Sequence, residues 1–313
     1  MEIECSINFD SIMDGGTAEL TIGDETYTLS RLDKNIPGNK GGNSLVLKMF
    51  VRDDDTEDKN PVGVIKINKA NYYNEEGVCY RKFNKRINGE IEALKECKRK
   101  AASYVISIDK DGILINTVSR KKTFTNRFYT MEVAECDLKQ FMERYEVDYM
   151  GKISICMELT KSLKELYDLG YYHRDIKPDN FFYFGEGVWK VGDLGLAKKR
   201  NSEMIIDGKN EFVGPKGWTS PETMNKYLTK VTDKRFDRII DEKSDMFQLG
   251  MVFWYIMQGN APIGNIMEKD FKYQDHSLYI LIKTMVSYDK TYRPKDFNTI
   301  LERLNYIANR EIV

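Results

Sequence analysis

The hydrophobic pattern changes period partway along the chain, and this constrains the fold more than any other feature. Up to about residue 135 the apolar residues mostly alternate. "AELTIGDETYTLSRL" alternates around Gly23 and Asp24, which is hairpin chemistry. "SLVLKMFV" and "VGVIKI" read as two further strands, with the acidic "RDDDTEDKNP" between them as a solvated loop. One helix interrupts: in "RINGEIEALKECKRKAA" the apolar Ile87, Ile91, Leu94 and Cys97 recur at helical spacing. Strands return from "YVISI" to "GILINT" and at "RFYTMEV". From about residue 137 onward the spacing is helical. "ISICMELTKSLKELYDLG" is amphipathic and stops at Gly170, whereas "SDMFQLGMVFWYIMQG" is apolar almost all round and should be buried. "HSLYILIKTMV" and "KDFNTILERLNYIANR" close the chain. The expected class is α+β in two parts. Residues 25–134 form a small antiparallel-β part with one main helix, and residues 135–313 a larger, mostly helical part. An extension over 1–24 adds a hairpin strand.

Composition narrows the function classes. The 313 residues are 41% hydrophobic and 31% charged, with a formal net charge of −1. That is apolar enough for a sizeable core, and there is no basic excess with which to neutralise nucleic-acid phosphates. Five cysteines (Cys5, Cys79, Cys97, Cys136, Cys156) are scattered without CxxC spacing and read as free thiols of a reducing compartment. "MEIECSINFD" lacks a signal-peptide core, and the apolar run "GMVFWYIM" is far too short to span a bilayer. The expected setting is the cytosol, or a host cytosol after export without a classical signal.

"YYHRDIKPDN", residues 171–180, packs five strongly polar side chains directly behind an apolar helix. Thirteen residues past Asn180, "VGDLGLA" places Asp193 at the end of a short apolar strand. Phosphoryl transfer asks for such a set. It needs a carboxylate to orient the attacking hydroxyl and take its proton, a cation on the γ-phosphate, and oxygen ligands for magnesium. Asp175 suits the first role and Lys177 the second. Asn180 and Asp193 suit the third, because a hard ion that keeps several waters prefers oxygen donors.

With these residues the chain resembles the eukaryotic-like protein kinase superfamily, of the serine/threonine type. "HRDIKPDN" matches the catalytic-loop pattern H-R-D-x-K-x-x-N without a gap, "DLG" stands for D-F-G, and Ser220 to Glu222 stand for A-P-E. The resemblance covers roughly residues 25 to 310. It implies a bilobal kinase fold, ATP and Mg2+ as cofactors, and protein substrates.

The resemblance also implies roles upstream. "VGVIKI" is similar to the V-A-I-K strand, which makes Lys66 the holder of the α- and β-phosphates. Glu90, one helix later, would pair with it; its rival Glu92 lies about 200° further round the helix. "YTMEVAEC" resembles the hinge. There Met131 lines the adenine pocket, the backbone of Glu132 and Ala134 bonds the adenine edge, and Asp137 reaches the ribose. The phosphate-covering loop matches least: aligned on Val46, the three glycine positions hold Asn39, Gly41 and Ser44, with Gly42 extra. Gly41 and Gly42 still allow backbone N–H groups to approach a phosphate.

Downstream, Asp245 resembles the buried aspartate that bonds the catalytic-loop backbone, and Arg293 the arginine that pairs with Glu222. The substrate-docking helix after "QGNAPIG" is expected to be reduced, and His276 to be a surface residue. Lys177 marks serine/threonine specificity, although "WTSPE" has some tyrosine-kinase flavour. A pseudokinase scaffold and a small-molecule kinase of related fold are the alternatives. In the activation segment, Glu211 is expected to pair with Arg174 in place of a phosphate, with Ser202 as the rival switch.

Overall fold

The computed structural model describes residues 1–7, 12, 14–32, 44–52, 60–68, 78–119, 122–201, 212–262 and 264–310, with side chains of 78–84, 118–119 and 122–124 set aside. The chain divides into two compact units. The first comprises residues 1–100 and 106–133, the second residues 101–105 and 134–313.

The first unit is a seven-stranded sheet ordered β1-β6-β7-β5-β4-β3-β2. Its strands are β1 (Glu2–Cys5), β2 (Ala18–Ile22), β3 (Glu25–Arg31), β4 (Ser44–Val51), β5 (Gly63–Asn68), β6 (Ile108–Ser119) and β7 (Lys122–Met131). Neighbours are antiparallel, except that β1 runs parallel to β6 at one edge. Residues 1–24 therefore supply two strands to the same sheet. The alternation is explicit in β4, where Leu45, Leu47 and Met49 are buried and their neighbours only partly so. They join Leu29, Ile65, Ile67, Leu114 and Phe128 in one apolar cluster. Each such fully buried side chain contributes about 1.5–3 kcal/mol relative to exposure.

Helix α1 (Val78–Arg99) is the unit's main helix. It begins eight residues before the expected Arg86, since "VCYRKFNKRIN" holds no glycine or proline to stop it. Ile87, Ile91, Leu94 and Cys97 are all buried, as their spacing predicts. The segment "YVISI" is divided. Glu165 draws the N–H groups of Ser103 and Tyr104 to its carboxylate at 3.0 and 2.6 Å, and Val105 bridges Val191. The strand proper starts only at Ile108.

The second unit is built on α3 (Tyr149–Asp168), α5 (Glu242–Gln258), α6 (His276–Met285) and α7 (Phe297–Asn309), with the shorter α2 (Leu138–Arg144) and α4 (Pro221–Leu228). Helix α3 packs against both α7 and α5. Helix α5 is buried on every side, and Gly250 shows why. A Cβ there would lie 2.6 Å from Cβ of Met285, so only glycine lets α5 approach the end of α6. Gly170, at φ +94°, turns the chain out of α3. Short strands β8 (Cys136–Asp137), β9 (Tyr171–Tyr172), β10 (Phe181–Tyr183), β11 (Trp189–Val191) and β12 (Lys198–Lys199) pair in small antiparallel sets. Among the described residues between Gly259 and α6, the only helical element is a 3-10 turn, Glu268–Asp270, in keeping with the short helix expected there.

Among the described side chains Cys5, Cys136 and Cys156 are free thiols, and no described helix is long and apolar enough to cross a membrane. Gly41, Gly42, Asn39, Ser202, Glu211 and the acidic run after Arg52 lie outside the described residues.

Candidate active site

Residues 173–180 hold their shape because a buried helix reaches up to them. Asp245 and Gln248, one turn apart on α5, are buried polar positions on a mostly apolar helix. The Asp245 carboxylate accepts the N–H of His173 at 2.7 Å and of Arg174 at 2.8 Å, and Gln248 Oε1 accepts the N–H of Ile176 at 3.0 Å. Arg174 sits at φ +71°, a left-handed conformation that costs a non-glycine residue of order 1 kcal/mol or more. The charge-assisted bond to its N–H offsets that cost. Burial pushes the Asp245 carboxyl up to about 7, against the pull of the two N–H donors. Gln248 was not foreseen from the sequence; its signal was the polar pair spaced i, i+3 inside "SDMFQLG".

His173 is fully buried and joins this loop to the next. Its Nδ1 accepts the Asp175 N–H at 3.2 Å, so Nε2 carries the proton and donates to the Gly192 carbonyl at 3.0 Å. Burial lowers its pKa, which keeps the ring neutral and the tautomer fixed.

Asn180 and Asp193 are brought together by a hairpin. In the β10–β11 ladder Phe181 lies opposite Val191. The residues just outside that pair are Asn180 and Gly192, and the Gly192 N–H donates to the Asn180 carbonyl at 3.0 Å. Asp193 follows at φ +55°, a second left-handed non-glycine residue, and Leu194 anchors the turn by full burial. The Asn180 amide gives Nδ2 hydrogens to the Asp175 carbonyl at 2.7 Å and to Asp175 Oδ2 at 3.0 Å. Its Oδ1 is the atom suited to a cation. Lys177 Nζ lies 3.3 Å from Asp175 Oδ2. Burial and the Asp193 charge raise the Asp175 carboxyl above the ordinary aspartate range despite Lys177. Burial alone would lower the Lys177 ammonium, but Asp175 and Asp193 outweigh it and the net shift is upward.

In the first unit Lys66 on β5 meets Glu90 on α1, with Nζ at 2.8 and 3.0 Å from the two carboxylate oxygens. Glu92 is exposed, as its place on the helix requires. Val46 lies directly opposite Lys66 in the β4–β5 ladder. Met131 ends β7 opposite Val64 and Ile108. Glu132 is held by its N–H to the Ser107 carbonyl at 3.3 Å, and its carboxylate accepts the Ser107 N–H at 2.6 Å. Ala134 lies in the irregular stretch before β8. Asp137 caps α2, accepting the Gln140 N–H at 2.8 Å, and burial raises its carboxyl. The hydroxyl of Tyr129 also reaches Glu90, a feature that strand alternation alone did not single out.

The remaining landmarks are structural. Arg293 Nη1 and Nη2 meet the two oxygens of Glu222 at 2.8 and 3.1 Å. Ser220 is buried against Thr223, and Thr219 donates to the Pro215 carbonyl at 2.7 Å, so both hydroxyls of "WTSPE" are in use. His276 is exposed and contacts Glu268.

The chain is similar to known proteins. The serine/threonine-protein kinase PTK2 of Candida glabrata is 25% identical over 246 residues, 72% of this chain and 31% of that protein. Cyclin-dependent kinase F-4 of Oryza sativa subsp. japonica is 28% identical over 189 residues, 56% of this chain and 38% of that protein. A probable serine/threonine-protein kinase of Clostridium perfringens is 32% identical over 120 residues, 38% of this chain and 16% of that protein. The matched stretch is thus at most 38% of the length of these relatives. The family profile described as "Protein kinase domain" matches residues 40–307, and the chain belongs to that family.

Proposed function

We propose that this chain is a serine/threonine protein kinase that transfers the γ-phosphate of ATP to protein hydroxyls, its own included. The observation that carries the reading is the cluster of buried Asp175 and Asn180 with the half-buried Lys177, in which Asp175 is fixed by Asn180 and flanked by the lysine at 3.3 Å. A pseudokinase would have no need to preserve that set. The domain boundaries proposed are an extension over 1–24, an N-terminal lobe over 25–134 and a C-terminal lobe over 135–313.

Asp175 orients the substrate hydroxyl and takes its proton as the oxygen bonds to the γ-phosphorus and ADP leaves. Its raised pKa makes it a better proton acceptor than an ordinary aspartate. Lys177 places a cation beside the transferred group, and Lys66, aimed by Glu90, holds the α- and β-phosphates. Asn180 and Asp193 are oxygen donors of the kind magnesium takes, and two such donors suit an ion that completes its shell with water and phosphate. Magnesium, when bound, neutralises the charge on the phosphate oxygens. Met131, Glu132, Ala134 and Asp137 are proposed for the adenosine half, and Val46 with Gly41 and Gly42 for the cover over the phosphates. A cytosolic location and protein substrates complete the reading.

The test is transfer of labelled phosphate from Mg-ATP, comparing wild type with Asp175→Ala and identifying the phosphoamino acid. Phosphoserine or phosphothreonine made by wild type alone supports the reading. Equal labelling by both proteins, or phosphotyrosine only, overturns it.

A further inference from the structure

We propose that Tyr129 is a positioning residue whose hydroxyl fixes the Glu90 carboxylate and thereby aims Lys66; this rests on the kinase reading of that ion pair. Strand register brings the three together. In the β5–β7 ladder Tyr129 lies opposite Lys66, and in the β6–β7 ladder it lies opposite Asp111. Directly opposed residues share a sheet face. Lys66, Tyr129 and Asp111 are therefore a row across three strands.

Every member of that row bonds to α1. Lys66 and Tyr129 both reach Glu90, and Asp111 meets Lys95 at 2.6 Å. Arg127, two residues before Tyr129 and so on the same face, meets Asp111 at 2.8 Å and gives Nε to Asn88 Oδ1 at 3.2 Å. The flanking bonds are partly exposed, Lys95 by 47%, and are worth little singly. The central one is different. Tyr129 is 1% exposed, and its hydroxyl lies 2.9 Å from Glu90 Oε1, the same oxygen that Lys66 Nζ meets at 2.8 Å.

A carboxylate held only by a lysine follows that flexible stem. One held also by a rigid phenol on the interior strand β7 cannot, so the rotamer of Glu90 is set by the sheet and the lysine conforms to it. Lys66 Nζ also stands 5.9 Å from the Tyr129 ring centroid, within reach of a cation–π attraction. The placement of α1 is accordingly tied to the sheet.

The test is a cycle of four proteins: wild type, Tyr129→Phe, Glu90→Gln and the double variant. Each is assayed for steady-state kinetics in Mg-ATP and for urea unfolding. Tyr129→Phe keeps the ring and removes only the hydroxyl. It should fold, lower kcat/KM for ATP about tenfold and raise KM. In the Glu90→Gln background the same change should cost less than about twofold, because the groups act as one unit. Tyr129→Met, which also lacks a hydroxyl, should repeat the loss if Tyr129→Phe is insoluble. An unchanged kcat/KM, or an equal tenfold loss in the Glu90→Gln background, overturns the proposal. If wild type transfers no phosphate, the kinase reading itself fails. Tyr129 is then judged by unfolding midpoints, where additive shifts overturn the assignment and non-additive shifts sustain it.

Discussion

Two buried ion pairs, one in each unit, use the same charges for different ends. Arg293 in the second unit spends its whole guanidinium: Nη1 on Glu222 and the Lys243 carbonyl, Nη2 on Glu222 and the Tyr288 carbonyl, Nε on the Ser287 carbonyl. It is fully inaccessible and stacks on Phe247 at 4.9 Å. Lys66 in the first unit is 11% exposed, a compact ammonium on a flexible stem. Its partner, not the lysine, is the group held by a rigid neighbour. A pair that stabilises the fold can saturate every donor. The pair proposed to meet a phosphate keeps its cation within reach of solvent.

Replacement of the two cations should break that comparison most visibly. Arg293→Ala leaves Glu222 buried and unpaired, and should cost roughly 3–5 kcal/mol with loss of soluble protein. Lys66→Met should cost only about 1–2 kcal/mol, because Glu90 keeps its bond from Tyr129, yet lower kcat about 100-fold or more. Chemical denaturation and Mg-ATP turnover on the same preparations decide it. Comparable destabilisation by both would erase the distinction.

Arg293→Lys sharpens the point at smaller scale. An ammonium replaces at most three of five donors and cannot fork onto a carboxylate, so about 2 kcal/mol should be lost without any change in the KM for ATP of the folded fraction. A melting temperature equal to wild type would show that the fork contributes little.

Acid should separate the pairs more gently. Burial raises the Glu222 carboxyl, but the bonds and charge of Arg293 outweigh it and the net shift is below the ordinary 4.5. A carboxyl depressed on folding contributes stability above its unfolded pKa and loses it as pH falls through the folded value. Wild type should thus lose stability below about pH 4.5 more steeply than Glu222→Gln. Parallel melting curves from pH 6 to 3 would contradict this. The smallest effect concerns Asp175. Its raised pKa places the acid limb of kcat/KM above pH 3.8, and a limb at or below that value would deny Asp175 the proton-accepting role.

Much of this was legible in the chain. Ile87, Ile91 and Leu94 repeat at helical spacing, and that repeat alone puts Glu90 on a face its rival Glu92 cannot share. The largely apolar "SDMFQLGMVFWYIMQG" had to be buried, and its lone carboxylate, Asp245, had to find donors there. "HRDIKPDN" carries its chemistry in contiguous residues, so Asp175, Lys177 and Asn180 could be assigned roles before any coordinates. What local pattern could not supply was register. The parallel strand β1 beside β6 has no turn signal, because the two strands are more than a hundred residues apart. Tyr129 reads as one more aromatic in a strand until the ladders place it opposite Lys66. Gln248 is an ordinary helix residue until the fold lays α5 beneath residue 176. Periodicity acts over neighbours and is written in the sequence. Which distant side chains share a face is decided only when strands pair and helices pack, and there the tertiary structure placed Tyr129 on Glu90 and Gln248 under the loop.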